Sequence, residues 1–328
     1  MTTYDLLGIG NALVDVLADA DDKFLTERDL QKGSMQLVDA NQADGLFEVM
    51  RAPYQASGGS CANSMAGFAS LGGKGAFMGK VKDDPFGRAF QEDMAAIGCA
   101  FAGSPSEDGL PTGRCLVFVT PDAQRTMVTY LGTASLLSPE DLDEEVISNS
   151  KIVYVEGYLF DQPVAQKAIL RAANLAHMAG RSFAVTLSDS FCIDRHRAAF
   201  IDLVELHTDI LFANEQEIIS LYQTENFEAA LRRAEEKIGI ICVTRGEKGA
   251  VILGHGERLE IAAEPIEKLV DTTGAGDQFA AGFLFGLSQS MSLFDSGRIG
   301  AIAASEIISH YGARPEENLA ALVAFKHV

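Results

Sequence analysis

Apolar positions along this chain follow two periods. Between Gly274 and Met291 they recur every four residues, at Phe279, Phe283, Leu287 and Met291, which places them on one helical face. That helix is expected to begin near Gly274 to Asp277. Helical spacing is also read over Cys61–Leu71, Phe86–Ile97, Val164–Ala179, Phe227–Lys237 and Asp295–His310. Short apolar runs alternate with these segments and are read as strands: Asp5–Ile9, Ala76–Val81, Ile152–Glu156, Phe183–Leu187, Asp209–Ala213, Ile240–Thr244 and Ala250–Leu253. Strands separated by helices imply right-handed crossovers. The expected fold is α/β, with a mainly parallel sheet covered on both faces.

Two stretches break the rhythm. Residues from about Ala12 to Tyr54 carry short alternating runs such as Met35-Gln36-Leu37-Val38. Gly113 to Leu131 read as a hairpin, Cys115–Thr120 and Arg125–Leu131 flanking Pro121-Asp122-Ala123-Gln124. No internal repeat or low-complexity segment is present.

Composition narrows the class. With 328 residues, 47% hydrophobic and 22% charged, the chain has ample material for a core. There is no run of eighteen apolar residues and no basic n-region ahead of an apolar stretch, so a cytoplasmic protein is expected. The formal net charge of −20 argues against nucleic acid or an anionic membrane as partner, since neither would be attracted. A nucleotide bound as its magnesium complex is compatible with it. The five cysteines (Cys61, Cys99, Cys115, Cys192, Cys242) are odd in number, match no zinc or redox spacing, and are read as reduced core residues. The histidines (177, 196, 207, 255, 310, 327) show no ligand spacing and are read as surface or core residues.

The candidate chemistry lies where the first helix opens, at Asp271-Thr272-Thr273-Gly274-Ala275-Gly276-Asp277-Gln278-Phe279. Glycines let the backbone approach a bulky anion, and a helix start supplies oriented N–H donors. A carboxylate there is odd if the site only holds phosphate. It makes sense if Asp277 takes a proton from a hydroxyl attacking that phosphate. The competing reading is a turn followed by an acidic first helical turn, which the helix dipole favours anyway.

The nine-residue string resembles the C-terminal signature of the ribokinase (PfkB) family of carbohydrate and nucleoside kinases. The resemblance implies that the amides of Gly274, Ala275 and Gly276 form an anion hole and that Asp277 is the catalytic base. It also implies a ribokinase-like three-layer α/β/α kinase domain over residues 1–328. Within it a small discontinuous β lid is expected, drawn from about 12–54 and 111–132.

Other segments fit the same family. In Gly8-Ile9-Gly10-Asn11-Ala12-Leu13-Val14-Asp15, a dinucleotide fingerprint would need glycine where Leu13 stands. The segment instead resembles the family's opening, which implies that Asn11 and Asp15 bind sugar hydroxyls. An amide that gives and accepts, beside a carboxylate that only accepts, suits vicinal hydroxyls. Ser57-Gly58-Gly59-Ser60-Cys61-Ala62-Asn63-Ser64 leads into a helix with Ser60 as its expected cap. The resemblance places Gly58, Gly59, Ser60 and Asn63 on the acceptor pocket. Without it, a capped helix after a turn explains Ser60 but not Asn63, which needs a polar partner if buried.

Leu71-Gly72-Gly73 and Gly79-Lys80-Val81-Lys82-Asp83-Asp84-Pro85-Phe86-Gly87 resemble the N-terminal signature, with Lys82 where glycine is usual. This block is read as structural, with a helix start at Asp84-Pro85. Asn214-Glu215-Gln216-Glu217 resembles the Asn-x-x-Glu motif, which implies that Asn214 and Glu217 organise Mg²⁺ and phosphates, largely through water. By physics alone it is a helix start with acidic residues. Thr244-Arg245-Gly246-Glu247-Lys248-Gly249 follows a strand and resembles the turn beside the ATP phosphates, placing Thr244, Gly246, Gly249 and, from the signature, Thr273 at the nucleotide. Arg125, on the hairpin, is read either as an arginine brought onto the phosphates by closure or as a surface residue.

Details such as Pro111-Thr112-Gly113, Leu187-Ser188-Asp189 and Asp209-Ile210-Leu211-Phe212 favour the nucleoside-kinase branch of the family. That branch implies transfer of the ATP γ-phosphate to the 5′-hydroxyl of a nucleoside, adenosine first. Tyr158, Leu159 or Phe160 is available to line a purine slot. The alternative is a carbohydrate kinase acting on ribose, fructose or a keto-sugar acid. Further behind stands a non-catalytic nucleotide-binding protein. ATP and Mg²⁺ are the expected cofactors, with room for a monovalent cation such as K⁺, and the expected state is a monomer or homodimer.

Overall fold

Strand residues such as Ile152-Val153-Tyr154-Val155 are apolar on both faces, and the computed structural model shows why: both faces of their sheet are covered. The structure describes residues 2–51, 53–122 and 124–326. Ala123 of the hairpin turn and His327 lie outside the described residues.

The chain carries β1 (Tyr4–Ile9), β2 (Leu13–Asp19), β3 (Met35–Leu37), β4 (Tyr54–Gly58), β5 (Gly75–Met78), β6 (Ala100–Phe101) and β7 (Gly113–Val119). It continues with β8 (Arg125–Tyr130), β9 (Ser150–Glu156), β10 (Ser182–Thr186), β11 (Ile210–Asn214), β12 (Ile240–Thr244), β13 (Ala250–Gly254) and β14 (Glu257–Ile261). Nine of these form one sheet in the order β14-β13-β12-β11-β10-β9-β1-β5-β6. Pairing is parallel from β12 to β6, while β13 and β14 add an antiparallel edge. Alternate residues of β9 feed different layers. Val153 and Val155 pack with the helix Pro163–Met178, and Ile152 and Tyr154 with the helices Ser60–Ser70 and Ala275–Ser288. The architecture is thus a three-layer α/β/α sandwich, as the resemblance implies.

The remaining five strands form a second sheet, β3-β8-β7-β2-β4, drawn from residues 13–58 and 113–130. Gly59 and Gly10 stand where the chain passes between the two sheets. A side chain at Gly10 would run into the Glu156 carboxylate, its Cβ falling 2.6 Å from Oε2.

All seven strands read from the apolar runs have counterparts, but Gly75–Met78 ends three residues before the expected Val81. The edge strand Glu257–Ile261 carries no apolar run, because only Ile261 is buried. The helices Asp22–Glu27 and Ala40–Phe47 interrupt the stretch read as alternating runs. The helix opening at Gly274 ends at Ser288, so Met291 lies beyond it rather than on its face. The five cysteines are free and buried. No helix among the described residues is long and apolar enough to cross a membrane.

Candidate active site

A cavity of about 1310 Å³ lies at the carboxyl ends of the central strands, roofed by the five-stranded sheet. Such a position is where open α/β sheets bind ligands. Most of the residues singled out from sequence line it; Gly58, Gly246 and Gly249 do not, nor do Leu159 and Phe160, which are buried in the core instead of lining a purine slot.

The helix Ala275–Ser288 starts from Gly274, whose φ of 80° is left-handed and whose Cβ would lie 2.8 Å from Ala313. A residue other than glycine is disfavoured twice over there. The N–H groups of Gly274, Gly276 and Asp277 have no acceptor among the described residues, so donors are presented to the cavity. Ala275 departs from expectation: its N–H bonds the Thr272 carbonyl at 3.2 Å.

Asp277 stands in the first turn of this helix. Its carboxylate accepts from the Ser60 hydroxyl at 2.6 Å and from Asn63 Nδ2 at 3.3 Å. Burial pushes it up to about 6, and these two hydrogen bonds oppose the rise. Ser60 was expected to cap its own helix. Instead Gly59, with φ of 96°, takes the cap position, no side chain caps the helix, and the serine hydroxyl is free to reach Asp277. Asn63 finds there the polar partner its burial demands.

Asn11 is held from behind. Its backbone N–H and Nδ2 both donate to Glu156 Oε1, at 2.9 and 2.6 Å, and the Cys61 N–H donates to Oε2 at 2.8 Å. With Nδ2 committed, Asn11 Oδ1 is the atom left to accept from a hydroxyl. Burial pushes Glu156 up to about 7, against its N–H donors and with the nearby Asp277 charge. Sequence reading missed Glu156, although its place at the carboxyl end of a central strand marks it.

Asp15, on β2, lines the cavity and accepts no hydrogen bond among the described residues. Burial raises it to about 6, opposed by the charges of Arg314 and then Arg125. Gly58 acts by being small, because a Cβ there would overlap the Asp15 carboxyl. Tyr158 lines the cavity and donates its hydroxyl to the Ser188 carbonyl at 3.3 Å.

Asn214 and Glu217 close a capping box on the helix Glu215–Tyr222, with Glu217 N–H donating to Asn214 Oδ1 at 2.8 Å and Asn214 N–H to Glu217 Oε2 at 2.9 Å; Asn214 Nδ2 also donates to Glu217 Oε1 at 2.6 Å. Both also line the cavity. Burial pushes Glu217 up to about 7, with Asp189 and Asp277 adding to it. Oxygen donors in a negative field suit a hard cation. No group of three or more His, Cys, Asp or Glu among the described residues is arranged to hold a metal by itself. As oxygen donors, these residues would suit a Mg²⁺ ion that arrives with phosphate oxygens and water.

Thr244 lines the cavity at the end of β12, whereas Gly246 and Gly249, both at positive φ, shape the turn into β13 behind it. Thr273 is locked by Asp271, which accepts from its N–H at 3.0 Å and its hydroxyl at 2.7 Å. Arg125 is no surface residue. Only 13% of its side chain is exposed, and it pairs with Asp271 at 3.1 Å, tying the smaller sheet to the segment that opens the helix.

Four cavity carboxylates (Asp15, Glu156, Glu217, Asp277) are raised in the fold. Each favours folding most below its unfolded value of about 4, and that contribution is lost as pH rises through 6 to 7. The lowered carboxylates, such as Asp122 at about 2, act in the opposite sense only below about pH 4. Between pH 5 and 8, therefore, Tm of the unliganded protein is expected to fall as pH rises; a flat or rising profile by calorimetry contradicts the raised values.

Residues 37–319 match the pfkB family of carbohydrate kinases. The chain belongs to that family. As a pfkB-family kinase it transfers a phosphoryl group to a hydroxyl. This kinase is similar to a probable sugar kinase from Rhizobium etli CFN 42, with 45% identity, a TM-score of 0.91 and 99% of both chains covered. An adenosine kinase from Sinorhizobium meliloti is 45% identical, with a TM-score of 0.90 over 98% of this chain and 99% of its own. The adenosine kinase of Saccharomyces cerevisiae is 26% identical over 340 residues, 97% of this chain and 98% of its own.

Proposed function

We propose that this kinase transfers the γ-phosphoryl group of ATP to the 5′-hydroxyl of adenosine. The observation that carries the chemistry is Asp277: a buried carboxylate raised to about 6, beside unpaired helix N–H groups, in one cavity with Asn11 and Asp15. A base with that value is mostly ionised at neutral pH yet still basic enough to take a hydroxyl proton. The choice of a nucleoside rests on the similarity to two adenosine kinases and on the cavity roof. There Leu17, Met35, Leu37, Val117 and Met127 offer an apolar surface to a base.

In this reading Asn11 Oδ1 and Asp15 take the ribose hydroxyls, with Gly59 and Asn63 beside them, while Asp277 accepts the 5′-hydroxyl proton. The N–H groups of Gly274 and Gly276 hold the phosphoryl oxygens as charge builds, without reorganising at that moment. Asn214, Glu217, Thr244 and Thr273 face the nucleotide. Magnesium bound with the nucleotide would neutralise phosphate charge. The five-stranded sheet is the lid, and Arg125 moves with it, exchanging Asp271 for phosphate as water is excluded.

The 45% identity to a probable sugar kinase favours a second reading, a sugar acceptor. Measuring ADP release with ATP·Mg and a panel of nucleosides, ribose, fructose and keto-sugar acids decides between them. Adenosine is expected to give the highest kcat/KM. A sugar exceeding it by more than about tenfold overturns the nucleoside assignment.

A further inference from the structure

Arg314 has no place in the machinery described so far, yet it lines the cavity. Three bonds fix the loop that carries it. Gly312 N–H donates to Asp271 Oδ2 at 3.3 Å, Gln278 Nε2 to the Ala313 carbonyl at 3.0 Å, and Glu316 N–H to Glu306 Oε1 at 2.9 Å. Ala313 also packs against Gly274, so the loop is seated on the start of the helix that presents Asp277.

The guanidinium is aimed as firmly. Nη1 donates to Asp93 Oδ2 at 2.8 Å, and Asp93 is itself held by the Ser57 N–H at 2.8 Å and the Ser57 hydroxyl. Nη2 has only the Met94 sulfur at 3.8 Å, and buried Nε has no partner. Asp15 stands on the same cavity wall: its neighbour Val14 pairs with Ser57, the residue that holds Asp93, and its carboxylate accepts nothing among the described residues. An incompletely paired guanidinium and an unpaired carboxylate thus line one cavity. A hydroxyl is the group that completes both, accepting from the guanidinium while donating to the carboxylate. An acidic ligand group would suit Arg314 but meet Asp15, and an amine would do the reverse.

We propose that Arg314 is a specificity-determining residue that donates to the same ring hydroxyl of the acceptor that Asp15 binds. The assignment rests on the nucleoside reading above only for the identity of the ring. Asp93 serves as the positioning residue, since without it the guanidinium has no fixed direction.

The test compares adenosine with 2′-deoxyadenosine and 3′-deoxyadenosine in the wild type and in Arg314→Met and Arg314→Lys. Discrimination is read as a ratio of kcat/KM values, which does not depend on how much of a variant is folded. Wild type is expected to disfavour at least one deoxy compound by about 10²-fold, since the lost hydroxyl leaves buried polar groups unpaired. In Arg314→Met that ratio is expected to fall at least about tenfold, with KM for adenosine raised and KM for ATP unchanged. Arg314→Lys is expected to recover part of it. An unchanged ratio in Arg314→Met overturns the proposal. If the wild type prefers a sugar, the nucleoside reading fails, and the same comparison with that sugar and its deoxy derivatives still decides the role of Arg314.

Discussion

Asp277→Asn is expected to lower kcat by at least ~10²-fold while leaving ATP affinity nearly intact. The substitution keeps the shape of the side chain and its place in the first turn, so the N–H groups of Gly274 and Gly276 remain where they are. What it removes is the acceptor for the hydroxyl proton. In the wild type, kcat/KM is also expected to decline about tenfold per pH unit below about 6, where Asp277 becomes protonated, and to level off above it. The variant should lose that limb along with its rate. Steady-state kinetics from pH 5 to 8, with ATP binding by calorimetry, checks both parts. A near-wild-type rate for Asp277→Asn would falsify the base assignment.

Glu156→Gln is expected to raise the acceptor KM ten- to a hundredfold while KM for ATP stays put. Glu156 receives three N–H donors, two of them from Asn11 and one from Cys61. An amide in its place puts an NH₂ group against donors whichever way it flips, and at least one buried N–H loses its acceptor. That loss costs roughly 1–3 kcal/mol in stability. It also frees Asn11 to turn, so that Oδ1 no longer faces the acceptor hydroxyl. A lower Tm with an unchanged acceptor KM would show that Glu156 is only structural. The expected result is a lower Tm together with a raised acceptor KM, and Asn11→Ala should then add little to the defect in acceptor binding.

Much of this was legible along the chain because it depends on local chemistry. Apolar runs buried on both faces marked the parallel strands, and four-residue spacing marked the helix after Gly274. The Gly-Ala-Gly-Asp string located a helix start able to face phosphate, since glycine tolerance and unpaired N–H groups are properties of adjacent residues. Where position and solvent exposure ruled, reading failed. Glu257–Ile261 is a strand because it pairs with β13, although its side chains are mostly exposed. Ser60 looked like a cap, but Gly59 at positive φ took that position.

The sequence by itself determined the family, the α/β fold class and the position of the carboxylate proposed as base, because these follow from periodicity and from short contiguous motifs. Only the tertiary structure decided which partners tune them. Ser60 and Asn63 reach Asp277 from 217 and 214 residues away, and Glu156 fixes Asn11 from 145 residues away. Arg314 shares the cavity with Asp15 only because the loop after Ile307 folds back onto Gly274. Burial and the pairing of groups distant along the chain set charge, donor direction and proton affinity, and neither can be read from spacing.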